Sequence, residues 1–175
     1  DESLRLALAH ATDRAAPVID VGGGRATLVD DLLAQGYADV TVLDVAGAAL
    51  EQARIRLAAS ADDAVATAFE RGAAHFVETD LLDADLPDAH FALWHDRAVF
   101  HFLVDASEQA AYVALAARSL RPGGVAIVAT FAADGPERCS GLRVARYDAD
   151  ALAARFGDDF ACIDAQRDLH RTPAG

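Results

Sequence analysis

The sequence predicts an α/β fold in which a doubly wound, mostly parallel sheet carries helices on both faces. Two observations lead to this prediction. Short apolar segments alternate with helical segments along nearly the whole chain, and parallel strands joined by right-handed crossovers are the usual outcome of such alternation. In addition, the first apolar segment runs into three glycines at positions 22–24, and a helical segment follows them. This arrangement is typical of a loop that approaches a ligand closely.

The predicted elements follow one another in a regular order. A leading helix is expected over residues 1–11, and Pro17 ends the connection into the first strand. Strands are predicted at 18–21, 40–45, 74–78, 91–95, 125–131 and 160–165, and further helices at 25–35, 47–59, 62–71, 106–120 and 149–156. Gly36 is expected to end the first crossover helix, and Asp105 to begin the helix at 106–120. Cys162 lies inside the last predicted strand and is expected in the core.

Length and composition are those of one folded domain. A chain of 175 residues can bury a substantial core, and its 53% hydrophobic and 25% charged residues are ordinary for a folded protein. We therefore expect a single domain over residues 1–175. The chain contains no methionine and begins with Asp1, so we expect it to be a fragment that lacks residues at one or both ends.

The charge of the chain restricts its partners. A formal net charge of −13 would repel the phosphate backbone of a nucleic acid, so DNA and RNA are disfavoured, whereas a small molecule or a protein side chain remains compatible. The longest apolar run, residues 125–133, is too short to span a membrane. No signal peptide is visible, and two cysteines in a chain of this size indicate the cytoplasm. The oligomeric state is not predicted.

The glycine loop departs from a dinucleotide-binding fingerprint. Gly22 and Gly24 fit the pattern Gly-x-Gly-x-x-Gly, but Thr27 occupies the third glycine position. Asp44 ends the second strand about 20 residues beyond the glycines, where a carboxylate can accept hydrogen bonds from both hydroxyls of a ribose. Asp80 ends the third strand in the same way. The sequence therefore predicts a nucleotide-cofactor site at the carboxyl ends of these strands.

Three groups of residues carry a resemblance to a known family. Asp20, Gly22 and Gly24 form an acidic-x-Gly-x-Gly pattern that resembles the first motif of class I S-adenosylmethionine (SAM)-dependent methyltransferases. Asp80 resembles the acidic residue that these enzymes place beside the adenine amino group. Residues 94–103, WHDRAVFHFL, and 134–147, DGPERCSGLRVARY, look like the signatures of a bacterial group of these enzymes.

This resemblance covers nearly the whole chain, and it implies a Rossmann-like class I methyltransferase fold, SAM as the cofactor and methyl transfer as the activity. It implies no substrate. The fold of that group includes a last antiparallel strand, which we expect to be absent from this chain, leaving the fifth strand with an exposed edge. The residues expected to bind the cofactor are Asp20, Gly22, Gly23, Gly24, Thr27, Asp44, Val45, Asp80, Leu81 and His95.

The acceptor side is expected in the loops 95–102 and 135–147, which should face one another. Methyl transfer chiefly requires that the nucleophile and the methyl group are held in line, and a base is needed only if the acceptor arrives protonated. His101 and Asp96 are the candidate catalytic residues. Two alternatives stay open for each: His101 either takes a proton or is packed between its phenylalanine neighbours, and Asp96 either acts on the acceptor or pairs with Arg97. No metal site is expected, because the histidine and cysteine spacing matches no zinc pattern.

Two other functions share part of this pattern. A nicotinamide-dependent reductase would share the sheet and Asp44, but Thr27 counts against it. The Tyr-x-x-x-Lys pair of such reductases is also missing, since Ala116 stands four residues after Tyr112. A non-catalytic SAM-binding subunit is the second alternative, and it is not distinguished from an enzyme by these motifs.

Overall fold

A computed structural model describes residues 2–167 of the chain. At its centre is a five-stranded sheet in the order β3-β2-β1-β4-β5, in which every neighbouring pair is parallel. The strands are β1 Val18–Val21, β2 Val40–Asp44, β3 Ala74–Glu78, β4 Phe91–Asp96 and β5 Leu120–Val128. The predicted parallel α/β sheet is thereby confirmed, and the carboxyl ends of all five strands meet at one edge.

Helices cover both faces of this sheet. They are α1 Glu2–His10, α2 Leu28–Ala34, α3 Gly47–Ala58, α4 Asp63–Glu70, α5 Ala106–Ser119 and α6 Ala149–Phe156. Successive strand residues alternate between the two layers: Val18 packs into the layer formed with α1–α4, and Ile19 packs into the layer formed with α5 and α6. This alternation is what buries a parallel strand on both sides. None of the helices within residues 2–167 has the length and apolar content needed to cross a membrane.

Local signals in the sequence explain several helix ends. Asp105 is the N-cap of α5, where its carboxylate accepts a hydrogen bond from the Ser107 N–H at 2.7 Å. Gly36 follows α2 with φ +83° and donates its N–H to the Leu33 carbonyl at 2.9 Å. Both boundaries agree with the prediction, because an aspartate satisfies free N–H groups and a glycine adopts the left-handed conformation without steric cost.

Three predicted elements differ from the structure. The fifth strand, predicted at 125–131, is β5 Leu120–Val128, and it starts earlier because Leu120 already pairs with Phe91 of β4. The helix expected to begin at residue 25 begins at Leu28, because the preceding residues form a turn in which the Ala26 N–H donates to the Gly23 carbonyl at 3.0 Å. The strand predicted at 160–165 is wrong. Residues 160–167 have no regular secondary structure, and Cys162 is exposed rather than in the core. An apolar run becomes a strand only where a neighbouring strand pairs with it, and among residues 2–167 no strand pairs with this segment.

The segment after β5 forms small local sheets instead of extending the central one. The pairs are β6 Phe131–Ala132 with β9 Arg146–Tyr147, and β7 Arg138–Cys139 with β8 Leu142–Arg143. Among the described residues, β5 pairs only with β4 and forms an edge of the central sheet.

Candidate active site

The glycine loop is wedged between the ends of β2 and β4. Gly22 has φ +71° and donates its N–H to the Leu43 carbonyl at 2.7 Å. A Cβ atom at this position would lie 2.8 Å from Cγ2 of Val99, and one at Gly24 would lie 2.7 Å from Oδ2 of Asp44. A side chain at either place would push Val99 or Asp44 aside, so the loop backbone lies directly against these two residues.

Asp44 is held firmly at the end of β2. Its Oδ2 accepts a hydrogen bond from the Gly24 N–H at 3.0 Å, and its Oδ1 accepts one from the Ala46 N–H at 2.8 Å. Each carboxylate oxygen has a second lone pair, so the fixed carboxylate can accept further hydrogen bonds from a ligand. The next residue, Val45, is 71% exposed and presents an apolar surface beside this carboxylate.

Asp80 and Leu81 follow the neighbouring strand, β3. Asp80 is exposed and caps a single turn of 3-10 helix, where its Oδ1 accepts a hydrogen bond from the Leu82 N–H at 2.9 Å. Leu81 is buried in the layer below. The Thr79 N–H donates to the Asp44 carbonyl at 3.1 Å, so the ends of β2 and β3 are joined and the two predicted acidic residues share one edge.

A buried pair of ionisable side chains lies beneath the glycine loop. Asp20 and His95 are cross-strand neighbours, and the His95 Nδ1 lies 2.7 Å from the Asp20 Oδ1. Both side chains are almost wholly buried. The other polar atom of each, Asp20 Oδ2 and His95 Nε2, has no hydrogen-bond partner among the described residues. Buried polar atoms without partners are destabilising, so this pair is most simply explained as part of a ligand site.

The same pair lines a cavity of about 170 Å³. The glycine loop, the start of α2, Ser3 of α1 and Arg97 complete its walls. The Arg97 Nη1 donates to the Ser3 Oγ at 3.1 Å, which fastens the leading helix over the cavity. Of the predicted cofactor residues, the cavity brings together Asp20, Gly22, Gly23, Thr27 and His95. Ser3 and Arg97 were not predicted, because no local pattern marks a residue that reaches the site from another element.

Asp96, the residue after His95, has a different environment. It is fully buried, and it accepts hydrogen bonds from the N–H groups of Ala98 at 2.8 Å, Val99 at 2.8 Å and Phe100 at 2.9 Å and from the Tyr112 hydroxyl at 2.7 Å. Burial raises the pKa of Asp96, whereas these four hydrogen bonds oppose that change. These contacts fix the loop that follows β4, and the expectation that Asp96 acts on the acceptor stays a prediction.

The expected ion pair between Asp96 and Arg97 is also replaced by these contacts. The Asp96 carboxylate is directed at α5 and at the loop backbone, whereas the Arg97 guanidinium reaches α1. The Tyr112 hydroxyl, which donates to Asp96, itself accepts a hydrogen bond from the Trp94 Nε1 at 2.8 Å. A chain of buried hydrogen bonds therefore connects β4, α5 and the loop.

His101 lies in that loop, inside a single 3-10 turn over Phe100–Phe102. Its ring is 5% exposed and packs against Phe102 and Phe131, with ring centroids 4.2 Å and 5.2 Å away. Its Nε2 is buried and has no hydrogen-bond partner among the described residues. Burial lowers the pKa of His101, so the ring is neutral at pH 7. The ring is therefore packed among aromatic neighbours, and proton transfer by its Nε2 stays a prediction.

The two predicted acceptor loops contact each other. The Ala145 N–H donates to the His101 carbonyl at 2.7 Å, and the rings of Phe100 and Tyr147 lie 5.9 Å apart. Cys139, in the second of these loops, is a free and half-buried thiol. Within the part of the chain that the structure describes, no group of three or more histidine, cysteine or acidic side chains could hold a metal ion.

Comparison with known proteins agrees with this geometry. The profile of a family described as methyltransferase domain matches residues 18–124, more than half of the chain. The chain belongs to this methyltransferase domain family. The matched residues include the glycine loop, Asp44, Asp80 and His101, so most of the site described above lies in the family's own region. No curated protein sequence matches this methyltransferase domain significantly.

Solved structures share the fold of this methyltransferase domain. A Burkholderia thailandensis 1,6-didemethyltoxoflavin N1-methyltransferase, solved with 1,6-didemethyltoxoflavin and S-adenosylhomocysteine, has a TM-score of 0.71 and 24% identity over 95% of this chain and 69% of its own. An amino pentose methyltransferase from Micromonospora echinaspora, solved with SAM, has a TM-score of 0.59 and 26% identity over 78% of this chain and 52% of its own. The chain thus spans roughly half to two thirds of the length of these proteins.

Proposed function

We propose that this methyltransferase domain transfers a methyl group from SAM to a small-molecule or protein acceptor by in-line displacement. The observation that carries the proposal is the convergence of the glycine loop, the fixed Asp44 carboxylate and the buried Asp20–His95 pair at one edge of the sheet. Ligands of open α/β sheets bind at this edge. The presence of SAM in the related amino pentose methyltransferase supports the choice of cofactor.

The ribose and adenine of SAM would lie along the ends of β2 and β3. Asp44 is already held by two backbone N–H groups, and its remaining lone pairs would accept hydrogen bonds from the ribose hydroxyls. Val45 offers an exposed apolar surface next to it. Asp80 stands at the end of the adjacent strand and would accept from the adenine amino group, with Leu81 packed beneath. Gly24 lets the loop backbone lie against the Asp44 carboxylate, because a side chain at this position would collide with it.

The amino acid portion of SAM would occupy the cavity beneath the glycine loop. This portion carries an ammonium and a carboxylate, and the cavity is lined by the carboxylate of Asp20 and the guanidinium of Arg97. Asp20 Oδ2 has no partner among the described residues, and an ammonium group would provide one. Gly22 and Gly23, together with Thr27 at the start of α2, line the same space. The charges and unpaired atoms of the cavity therefore fit this end of the cofactor.

The acceptor side would be formed by the loop that bears His101. SAM would supply a methyl group bound to a positively charged sulfur, and a neutral thioether would be the leaving group when the acceptor takes the methyl group. His101 is neutral at pH 7 because burial lowers its pKa, and its unpaired Nε2 would take the proton of an acceptor that arrives as an ammonium, hydroxyl or thiol. Asp96 would act indirectly, since its hydrogen bonds to three successive N–H groups fix the backbone that leads to His101.

The proposal is tested by titrating the protein with SAM, S-adenosylhomocysteine and NAD in a calorimeter, followed by transfer of labelled methyl groups into a cell lysate. Binding of SAM and its product, no heat with NAD and labelling of a lysate component are the expected results. Binding of NAD instead would favour the nicotinamide-dependent reductase. Tight SAM binding without label transfer to small-molecule or protein fractions would favour a non-catalytic SAM-binding subunit.

Two broader expectations are part of the same proposal. The central sheet, with one apolar layer on each face, supports one domain over residues 1–175. The free thiols of Cys139 and Cys162, the second of them exposed, support a cytoplasmic location, because an exposed free thiol persists in a reducing compartment.

A further inference from the structure

A short hairpin after β5 places two arginines face to face. Strands β7 and β8 are joined by Ser140 and Gly141, which have φ +51° and +82°. A two-residue turn with both φ values positive fixes the register of the hairpin. In this register Arg138 lies directly opposite Arg143. The Val144 N–H donates to the Glu137 carbonyl at 3.1 Å, so the arginine pair is of the type without mutual backbone hydrogen bonds, in which side chains come closest.

Like charges directly opposite each other destabilise a hairpin, and here a third cation lies beside them. Arg138, Arg143 and Arg146 together line a cavity of about 150 Å³, to which Glu137 contributes the one acidic side chain. These three are a fifth of the 15 basic residues in a chain whose net charge is −13. A local concentration of positive charge in a strongly acidic protein would attract an anionic ligand.

Two of these guanidinium groups are held in place by backbone oxygens. The Arg138 Nη1 donates to the Gly141 carbonyl at 2.9 Å, and the Arg146 Nη1 donates to the Gly135 carbonyl at 2.9 Å. Arg146 also pairs with Glu137 at 3.2 Å, although the glutamate side chain is 79% exposed. Guanidinium groups that are oriented beforehand lose less side-chain entropy when they bind a carboxylate or a phosphate. The cavity therefore has the chemistry of an oxyanion site.

The position of this cavity connects it with the acceptor side. Val144 lines the cavity and is itself buried. The next residue, Ala145, donates its N–H to the carbonyl of His101. The arginines therefore stand on a segment that is hydrogen-bonded to the loop bearing the proposed base, at the carboxyl ends of β4 and β5.

We propose that the methyl acceptor carries a carboxylate or phosphate group and that Arg138 and Arg143, with Arg146 beside them, bind it. This inference rests on the proposed function and narrows it: the acceptor is an anionic compound, and the arginines select it. The two arginines are specificity residues that bind away from the reacting atom. The electrostatic attraction of an anion to this local patch also offsets the repulsion by the acidic remainder of the surface.

The anion site is tested without SAM by calorimetric titration with inorganic phosphate and, separately, with sodium acetate at constant ionic strength. The wild-type protein should bind at least one of the two, and Arg138→Gln/Arg143→Gln should bind it at least about tenfold more weakly, the usual effect of losing a charge-assisted hydrogen bond. Arg121→Gln removes the same charge at the amino end of β5, at the opposite sheet edge, and should bind like wild type. A stronger response to phosphate than to acetate, or the reverse, identifies the group.

A second measurement assigns the site to the acceptor. Small molecules labelled from SAM in a lysate should be retained by an anion exchanger, and Arg143→Gln should reduce their labelling while its affinity for SAM stays within about threefold. Label only in unretained compounds would overturn the inference, as would the absence of phosphate and acetate binding or an equal loss in Arg121→Gln. If the protein binds phosphate normally but neither binds SAM nor transfers label, the proposed function fails and the assignment of this site to an acceptor fails with it, while the anion site itself remains.

Discussion

Replacing Asp96 should chiefly destabilise the fold. Any loss of turnover should follow from unfolding and not from the removal of a catalytic group. The carboxylate is fully buried and is the shared acceptor of three N–H groups and the Tyr112 hydroxyl. In Asp96→Ala all four donors lose this acceptor inside the protein. In Asp96→Asn one oxygen is retained, but the new amide nitrogen faces donors that formerly had an acceptor.

The magnitude follows from these four contacts. Each buried donor left without a partner costs about 1–3 kcal/mol, and part of this loss is offset because a buried charge is removed as well. We expect Asp96→Ala to lower the free energy of unfolding by about 3–5 kcal/mol and Asp96→Asn by about 2–3 kcal/mol. A typical domain has about 5–15 kcal/mol in total, so the alanine variant should be only marginally folded at 37 °C.

Urea unfolding is the suitable assay, followed by circular dichroism and by the fluorescence of Trp94. Trp94 is the one tryptophan of the chain. Its Nε1 donates to the Tyr112 hydroxyl, which in turn donates to Asp96, so its fluorescence reports on this hydrogen-bond network. Asp85→Asn, an exposed loop carboxylate, is the matched control and should change stability by no more than about 0.5 kcal/mol. If Asp96→Asn unfolds like wild type and binds SAM normally but loses turnover about 100-fold or more, Asp96 acts on the reaction and the positioning role is refuted.

Three further changes test the rest of the site. Asp44→Ala should weaken SAM binding by about 2–3 kcal/mol, or about 30- to 150-fold by calorimetry, because charged hydrogen bonds to the ribose are lost; unchanged affinity would remove the ribose assignment. Gly22→Ala should lower both the melting temperature and SAM affinity, since its Cβ would lie 2.8 Å from Val99 at φ +71°; normal values of both would show that the loop tolerates a side chain. His101→Gln should reduce turnover by roughly 100-fold with SAM affinity within a few-fold, whereas a parallel loss of stability and binding would make it a packing residue. Because burial lowers the pKa of His101, the unfolded chain binds more protons just below about pH 6.5, so the wild type should lose stability as the pH falls through that value and His101→Gln should lose less; identical melting curves against pH would contradict this.

The central sheet could be predicted from the sequence because its signals are local. The apolar strands separated by helices with an aspartate cap or a glycine stop reproduce β1 to β5 and α3 to α6 within a few residues at most boundaries. The failure at 160–165 has the opposite cause. That segment is apolar enough for a strand, but a strand also needs a neighbour with free backbone groups, and a single sequence does not tell where such a neighbour lies.

The site was partly predictable for the same reason. Asp20, Asp44 and Asp80 are marked by their places at strand ends, and the topology of a parallel sheet brings such ends together. The wall contributed by Ser3 and Arg97 depends on how α1 docks on the sheet, which no motif encodes. The arginine pair at 138 and 143 depends on the register of a hairpin, and the turn at Ser140–Gly141 that fixes it is visible only when both φ values are known.

The different roles of His95 and Asp96 follow from the geometry of β4. Side chains alternate between the faces of a strand, so His95 meets Asp20 in the layer of α1 to α4, and Asp96 meets Tyr112 in the layer of α5. One strand end therefore serves both sides of the proposed reaction, since the first residue lines the cofactor cavity and the second holds the loop that bears His101. Because the two residues are adjacent, the end of β4 fixes a wall of the proposed cofactor cavity and the start of the proposed acceptor loop relative to each other. A fixed relation of this kind suits an in-line displacement, whose rate depends on how the nucleophile and the methyl group are held.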